Sequence, residues 1–442
     1  MSREPADVLF VSSSYTSLNH VAAAALNKAA GAKANVSAAT VGECFDMHPA
    51  IATLMSESGL KLDDMQPVPL KSVLDKPFDY VITLDDKALH NTPEIHGNPR
   101  RIHWPLSTRA KTGMAPGVEA VFTRTLDEIE ERVTELCRQI DELPRARELH
   151  LAPGTSTCFA RPDSFDPAKH FPMLAEAGFK CIELNCCLGS WDFMHDVYRH
   201  TEELIRVSKE TGVIIWSVHA PSHVFEPPGR DAGQYRTHID LMKYFADLTV
   251  ALGAHSLVFH TYPICRPENV ESVAQLQNSL LELEEYMITL PCILAWENGL
   301  GYKHTTKQHL EWIRTLNPSA YGLCFDNGHA NLDGNAEEYL SLCSMRLISL
   351  HMADNHGEYD EHARPGEAGY DWKGYVSKIE AAGYVGPLML ECSHWDGEMT
   401  RLVVIEGEDP GNTLTYPYKR PIELPEILEK SIAGIEYVKK VG

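Results

Sequence analysis

The chain alternates short apolar runs with longer stretches in which apolar residues recur every three or four positions, a pattern that predicts strand followed by helix, many times over. Asp7–Val11 is an apolar run, Ser12–Ser17 a polar loop and Val21–Ala29 an Ala-rich helical stretch. Tyr80–Leu84 reads as a further strand, and Leu126–Leu143 places apolar residues at helical spacing among acids. Residues 1–142 are therefore expected to form a small parallel-sheet α/β domain. Pro144 and alternating charges mark 143–148 as a linker. From 149 to 442 there are eight strand candidates: Leu149–Leu151, Cys181–Leu184, Ile214–Val218, Ser256–Phe259, Cys292–Trp296, Gly322–Phe325, Leu347–Leu350 and Leu388–Leu390. Helical patterns separate them, at Phe171–Ala177, Thr201–Thr211, Arg236–Leu252, Val270–Met287, Lys307–Leu316, Ala336–Cys343 and Trp372–Ala382. Eight strand–helix repeats predict a (β/α)8 barrel, the TIM-barrel architecture, so the fold class is α/β throughout.

Composition adds constraints. Hydrophobic residues make up 44% of the 442 and charged residues 23%, which excludes disordered and fibrous chains. The balance of 39 basic against 62 acidic residues gives a net charge of −23, a field that repels phosphate backbones and anionic lipid headgroups. Nucleic acid is an unfavoured partner on that ground. No apolar run approaches the roughly 20 residues of a membrane helix, and the polar, acidic start lacks the features of a signal peptide, so a cytoplasmic location is expected. Eleven cysteines, an odd number without C-x-x-C spacing, are expected to be mostly buried thiols.

The chemistry lies at the strand ends. From the third barrel strand onward the runs close on His219, His260, Glu297, Asp326 with His329, His351 and Glu391. In a parallel barrel those ends share one mouth, and converging carboxylates and imidazoles need a cation to offset their charge and desolvation. Asp360 and His362, in the loop after the seventh strand, bring the candidate ligands to nine. Glu183 is either substrate-facing or a buried structural partner. Arg364 either clamps a substrate phosphate or carboxylate or pairs with neighbouring acids. Asp354 is read as orienting His351 or capping its loop, and His223, His304 and His356 as solvated loop histidines.

On Ser217–Pro221, Phe259-His260, Glu297–Gly299, Asp326–His329, His351–Asn355, Asp360–Gly366 with Tyr370–Trp372, and Gly383-Tyr384 leading to Glu391, the chain from Leu149 resembles the xylose-isomerase-like TIM-barrel superfamily. That superfamily holds sugar isomerases and epimerases, inosose dehydratases and the endonuclease IV class. The isomerase and epimerase branch implies Glu297, Asp326, His351 and Glu391 around one divalent ion, Mn, Co, Mg or Zn. In it Glu297 and Glu391 act as base and acid, and His329 faces a small polyhydroxylated substrate, with His219, His260, Arg364 and Glu183 as further substrate contacts. The endonuclease IV branch implies all nine residues around three zinc ions in a phosphoesterase. A non-catalytic, metal-stabilised binding protein is the third reading. The sequence leaves open whether the tail from Thr400 covers the barrel or joins a second subunit in a homo-oligomer.

The first domain, on Val8–Val11, Ala22–Leu26, Asp79–Leu84 and His103–Leu106, resembles low-molecular-weight tyrosine phosphatases and arsenate reductases. That resemblance implies a catalytic Cys, Arg and Asp. The matching positions are Ser12, Leu18 and Ser107, and Cys44 and Cys137 lie outside the loop, so an inactive phosphatase-like domain is expected.

Overall fold

The computed structural model describes residues 3–13, 18–42, 47, 49–61, 68–106, 118–159, 165–186, 191–221, 232–260, 270–299, 305–343, 346–358, 360–392 and 423–441. Two compact units emerge. One is built on Met1–Glu148 and includes Glu284–Ile293 and Leu316–Tyr321; the other comprises Leu149–Leu283, Leu294–Thr315 and Gly322–Gly442.

The first unit is a five-stranded parallel sheet of β1 (Ala6–Ser12), β2 (Ala34–Thr40), β3 (Val68–Pro69), β4 (Tyr80–Thr83) and β5 (Arg100–His103), in the order β3-β2-β1-β4-β5. Its central strand is apolar on both faces because both are covered. Val8 and Phe10 pack with helices Leu18–Ala30 and Val118–Glu142, while Leu9 and Val11 pack with Leu70, Val73 and Phe78. Two-sided burial explains why β1 reads as a continuous apolar run rather than an alternating one. Ser12 ends β1 and Leu18 opens the following helix. The Ser13 amide donates to Asp85 Oδ2 at 2.8 Å, so a carboxylate holds that amide of the loop. Cys137 is half-buried on the long helix, and burial pushes its thiol up rather than toward a thiolate. Ser107 and Cys44 lie outside the described residues.

The second unit is the expected barrel. Its parallel strands are β6 (Pro153–Ser156), β7 (Cys181–Asn185), β8 (Ile214–His219), β9 (Ser256–Phe259), β10 (Ile293–Glu297), β11 (Tyr321–Asp326), β12 (Leu347–His351) and β13 (Leu388–Leu390). They neighbour one another in chain order, and β13 also lies beside β6. The ring closes where Met352 N donates to Met389 O at 2.9 Å and Glu391 N to Met352 O at 3.1 Å. One strand differs from expectation. Leu149 ends a 3-10 turn and Leu151 has φ +54, so the first stave is Pro153–Ser156, not Leu149–Leu151. A Cβ on Gly154 would lie 2.7 Å from Cys181 Sγ and 3.0 Å from Met389 Cε, so this stave requires a residue without a side chain.

The tail expected to begin at Thr400 is described from residue 423, as the helix Leu424–Val441. His223 and His304 lie outside the described residues, and His356 is exposed and paired with Glu361. None of the eight described cysteines forms a disulfide, and all but Cys137 are buried. No described helix is long and apolar enough to cross a membrane.

Candidate metal centre

The staves from β8 to β13 bring their terminal side chains to one mouth. Asp326 ends β11 and caps the short helix Asn327–Asp333, its Oδ1 accepting from the His329 amide at 2.7 Å. That cap commits one carboxylate oxygen and leaves Oδ2 toward His329 Nδ1 at 3.9 Å and His351 Nδ1 at 4.0 Å. The intervening Gly328 is needed, since a Cβ there would sit 3.2 Å from Asp326 Oδ1 and from Asn355 Nδ2. Asn298, after β10, stitches the two strand ends together: its Oδ1 accepts from Asp326 N and its Nδ2 donates to Asp326 O, both at 2.8 Å.

Four histidines share one arrangement. His219 Nδ1 lies 2.7 Å from the Ala220 carbonyl, His329 Nδ1 2.8 Å from the Asn298 carbonyl and His362 Nδ1 2.6 Å from the Glu391 carbonyl. His351 Nε2 lies 2.9 Å from Glu183 Oε1. Each of these ring nitrogens faces an acceptor and so carries the proton, which in the neutral imidazole leaves the other nitrogen as a lone pair. That second nitrogen points at carboxylate oxygen every time. His219 Nε2 is 3.2 Å from Glu297 Oε2, and His329 Nε2 is 3.4 Å from Asp360 Oδ2. His362 Nε2 is 2.8 Å from Asp360 Oδ2. His351 Nδ1 stands 3.1 Å from Glu297 Oε2 and 3.0 Å from Glu391 Oε2. His351 Nδ1 is buried with no hydrogen-bond partner. A buried lone pair that faces two carboxylate oxygens is costly unless a cation stands between them, so this donor set fits a metal ion.

The ligand atoms fall into groups within 4.8 Å of one another. Glu297, Asp326, His351 and Glu391 form one; His219, His260 and Glu297 a second; His329, Asp360 and His362 a third; and His219, His351 and Glu391, and Glu297, Cys324 and His351, form two more that overlap these. All nine sequence-derived candidates are thus brought together, where burial and the opposite charges of neighbouring groups push their proton affinities apart. Burial pushes Asp326 up to about 6, against His329 and with help from Glu297 and Asp360. Burial likewise raises Glu391, but His351 and His362 outweigh it and hold this carboxyl at about 2. For His362 burial acts downward and Asp360 overrides it, lifting the imidazole to about 10. His260 goes the other way, lowered by burial to about 4.

The remaining candidates stand behind this shell. Glu183 is fully buried, accepting from Ser217 Oγ at 2.7 Å and lying 2.9 Å from His351 Nε2. Arg364 is buried and pairs with Glu367 at 3.2 Å. Asp354 caps its loop: Oδ2 accepts from Gly366 N, Ala368 N and Trp372 Nε1, and Oδ1 from Tyr370 N. Sequence reasoning missed Asn185 and Cys158, whose side chains reach Glu391 Oε1 at 2.9 and 3.6 Å. The one available signal was that Asn185 ends the second stave, as the ligands end theirs.

Comparison with known proteins places this geometry. A curated, uncharacterized protein of Sinorhizobium fredii is 26% identical over 247 residues, covering 50% of this chain and 78% of its own. Among solved structures, a D-allulose 3-epimerase from Methylomonas sp. in complex with D-allulose is 18% identical, covering 66% of this chain and 98% of that one, with a TM-score of 0.51. A D-psicose 3-epimerase solved in the presence of D-fructose is 13% identical, covering 66% and 99%, also with a TM-score of 0.51. At these identities the two structures speak for the fold. The sequence profile of the xylose isomerase-like TIM barrel matches residues 171–405, more than half of the chain and all nine candidate ligands, and the chain therefore belongs to that family.

Proposed function

We propose that the protein is a divalent-metal-dependent isomerase or epimerase of a small sugar, sugar phosphate or polyol. The observation that carries this is the pair Glu297 and Glu391, from β10 and β13, whose Oε2 atoms both approach His351 Nδ1. When bound among Glu297, Asp326, His351 and Glu391, a divalent ion supplies a Lewis acid that acidifies the C–H beside a substrate carbonyl. The two glutamates serve as base and acid, one abstracting that proton and the other returning it to the opposite face of the substrate enediolate. His329, fixed by the Asn298 carbonyl and facing Asp360, is placed to hold a substrate hydroxyl. The two solved relatives are 3-epimerases, which agrees with this chemistry. We take the first unit to be non-catalytic, in keeping with Ser12 and Leu18 at the positions where phosphatase chemistry needs a Cys and an Arg.

The test is solvent deuterium exchange into a panel of ketoses and aldoses, which Glu297→Gln and Glu391→Gln should each reduce by about 10²–10⁴-fold. Absence of exchange across the panel with metal-loaded protein overturns the reading.

A second reading rests on three of these groups, two of which share Glu297 and which together take in all nine candidate ligands, a donor set suited to three zinc ions and a phosphodiester substrate. Metal content of the purified protein distinguishes the two. Near three zinc per chain, falling in the His219→Ala, His260→Ala double variant, favours the hydrolase. About one ion, unchanged in that variant, favours the isomerase.

A further inference from the structure

Glu297 and Glu391 are held in different ways. Glu297 is ringed by imidazoles, with His219 and His260 3.2 Å, His351 3.1 Å and His329 3.3 Å from its carboxylate. Glu391 presents Oε2 to His351, while its Oε1 turns to the other flank of β13, toward β6 and β7. There the Asn185 amide donates to it at 2.9 Å and the Cys158 thiol at 3.6 Å. Neither group is in the ligand set, and both come from the first two staves and their loops, which supply none of the nine ligands.

The two side chains are tied to each other and to their backbones. Asn185 Nδ2 lies 3.2 Å from Cys158 Sγ, and Ser156 Oγ lies 3.3 Å from the same sulfur. The Asn185 backbone N–H donates to Thr157 Oγ1 at 2.9 Å, anchoring β7 to the turn that carries Cys158. This is a braced neutral clamp rather than a chance contact. An amide donor keeps its proton at every working pH, and a carboxylate with one oxygen so fixed cannot rotate about its final torsion without losing a bond.

We propose that Asn185, supported by Cys158, is a positioning residue that restricts Glu391 to a single presented oxygen. The inference rests on the metal reading above but not on the choice between isomerase and hydrolase. Without the clamp Glu391 is free to turn both oxygens toward His351, changing its coordination and removing the aligned base or acid.

The test measures Co2+ binding to the full chain by calorimetry and by the visible spectrum of the cobalt-loaded protein, neither of which requires a substrate. For Asn185→Ala we expect cobalt affinity to fall about 10–100-fold, with a shifted d–d band, while the unfolding midpoint of the metal-free protein stays near that of wild type. Cys158→Ala, which leaves the amide in place, should show the same band shift with a smaller loss of affinity, and it serves as the readout should Asn185→Ala not fold. Wild-type affinity and an unchanged cobalt spectrum in the variants overturn the proposal. Failure of deuterium exchange alone overturns the isomerase and leaves this result standing.

Discussion

His309 shows what a single buried imidazole does when no partner meets it. It sits against Trp296 with ring centroids 4.3 Å apart, its Nε2 is buried without a hydrogen bond, and burial pushes its pKa down to about 3. The unfolded chain takes up a proton there near pH 6.5, and the folded one does not until about pH 3. Stability is therefore lost as pH falls through that window, at a limit of about 1.4 kcal/mol per pH unit. His309→Phe should flatten the fall of the unfolding midpoint between pH 6 and 4. An unchanged slope would show that this ring does not titrate as its surroundings require. At the same scale, six of the nine candidate ligands were legible because each closes an apolar run, and His329, Asp360 and His362 because they follow in the D-N-G-H and D-E-H stretches. Asn185 and Cys158 were not, because an amide and a thiol beside a strand look like ordinary packing until Glu391 is seen against them. For Glu183 the sequence left a substrate-facing place and a buried structural one open, and in the fold Ser217 and His351 meet its two oxygens.

Among the elements, the closing helix and the loop that carries Asp360 and His362 fix each other. Asp354 pairs its backbone with Ala363 in both directions, at 2.7 and 3.1 Å, and gathers three backbone amides and the Trp372 indole onto its carboxylate. His362, in this loop, has φ +48, a left-handed conformation that the surroundings must hold. On the far side Pro365 meets Gly434 of helix Leu424–Val441, where a Cβ would lie 3.1 Å from Pro365 Cδ and 3.2 Å from its carbonyl oxygen. Gly434→Val should therefore destabilise the fold by about 1–3 kcal/mol, the usual range for overpacking. It should also weaken metal retention at His329, Asp360 and His362 more than at the four-ligand group. Thermal unfolding and metal content read the two effects, and full retention at every group would mean that the helix does not brace this loop. The staves themselves were legible wherever both faces are buried, as in β8 to β12. β6 escaped notice because Pro153–Ser156 owes its place to the absence of a side chain at Gly154, and the Leu-His-Leu pattern before it belongs to a turn.

For the molecule as a whole, the mouth is a concentration of four carboxylates and five imidazoles inside a chain of net charge −23. Without a metal, protons take the cation's place: His351 and His329 are raised well above their ordinary value, and His362 to about 10, because the adjacent carboxylates outweigh burial. A metal ion needs the same lone pairs, so loading at pH 7 must expel protons. Calorimetric titration in buffers of different ionisation enthalpy should show proton release, and apparent affinity should rise with pH between 6 and 8. Metal that binds only the folded chain also stabilises it, by about 4 kcal/mol at a thousandfold excess over its dissociation constant. Chelation should lower the unfolding midpoint accordingly, and more steeply at pH 8 than at pH 6, where protons already compensate the carboxylates. Binding with no proton release would require the imidazoles to be neutral beforehand. That would run against the upward push of the Asp360 carboxylate on His362, 2.8 Å away.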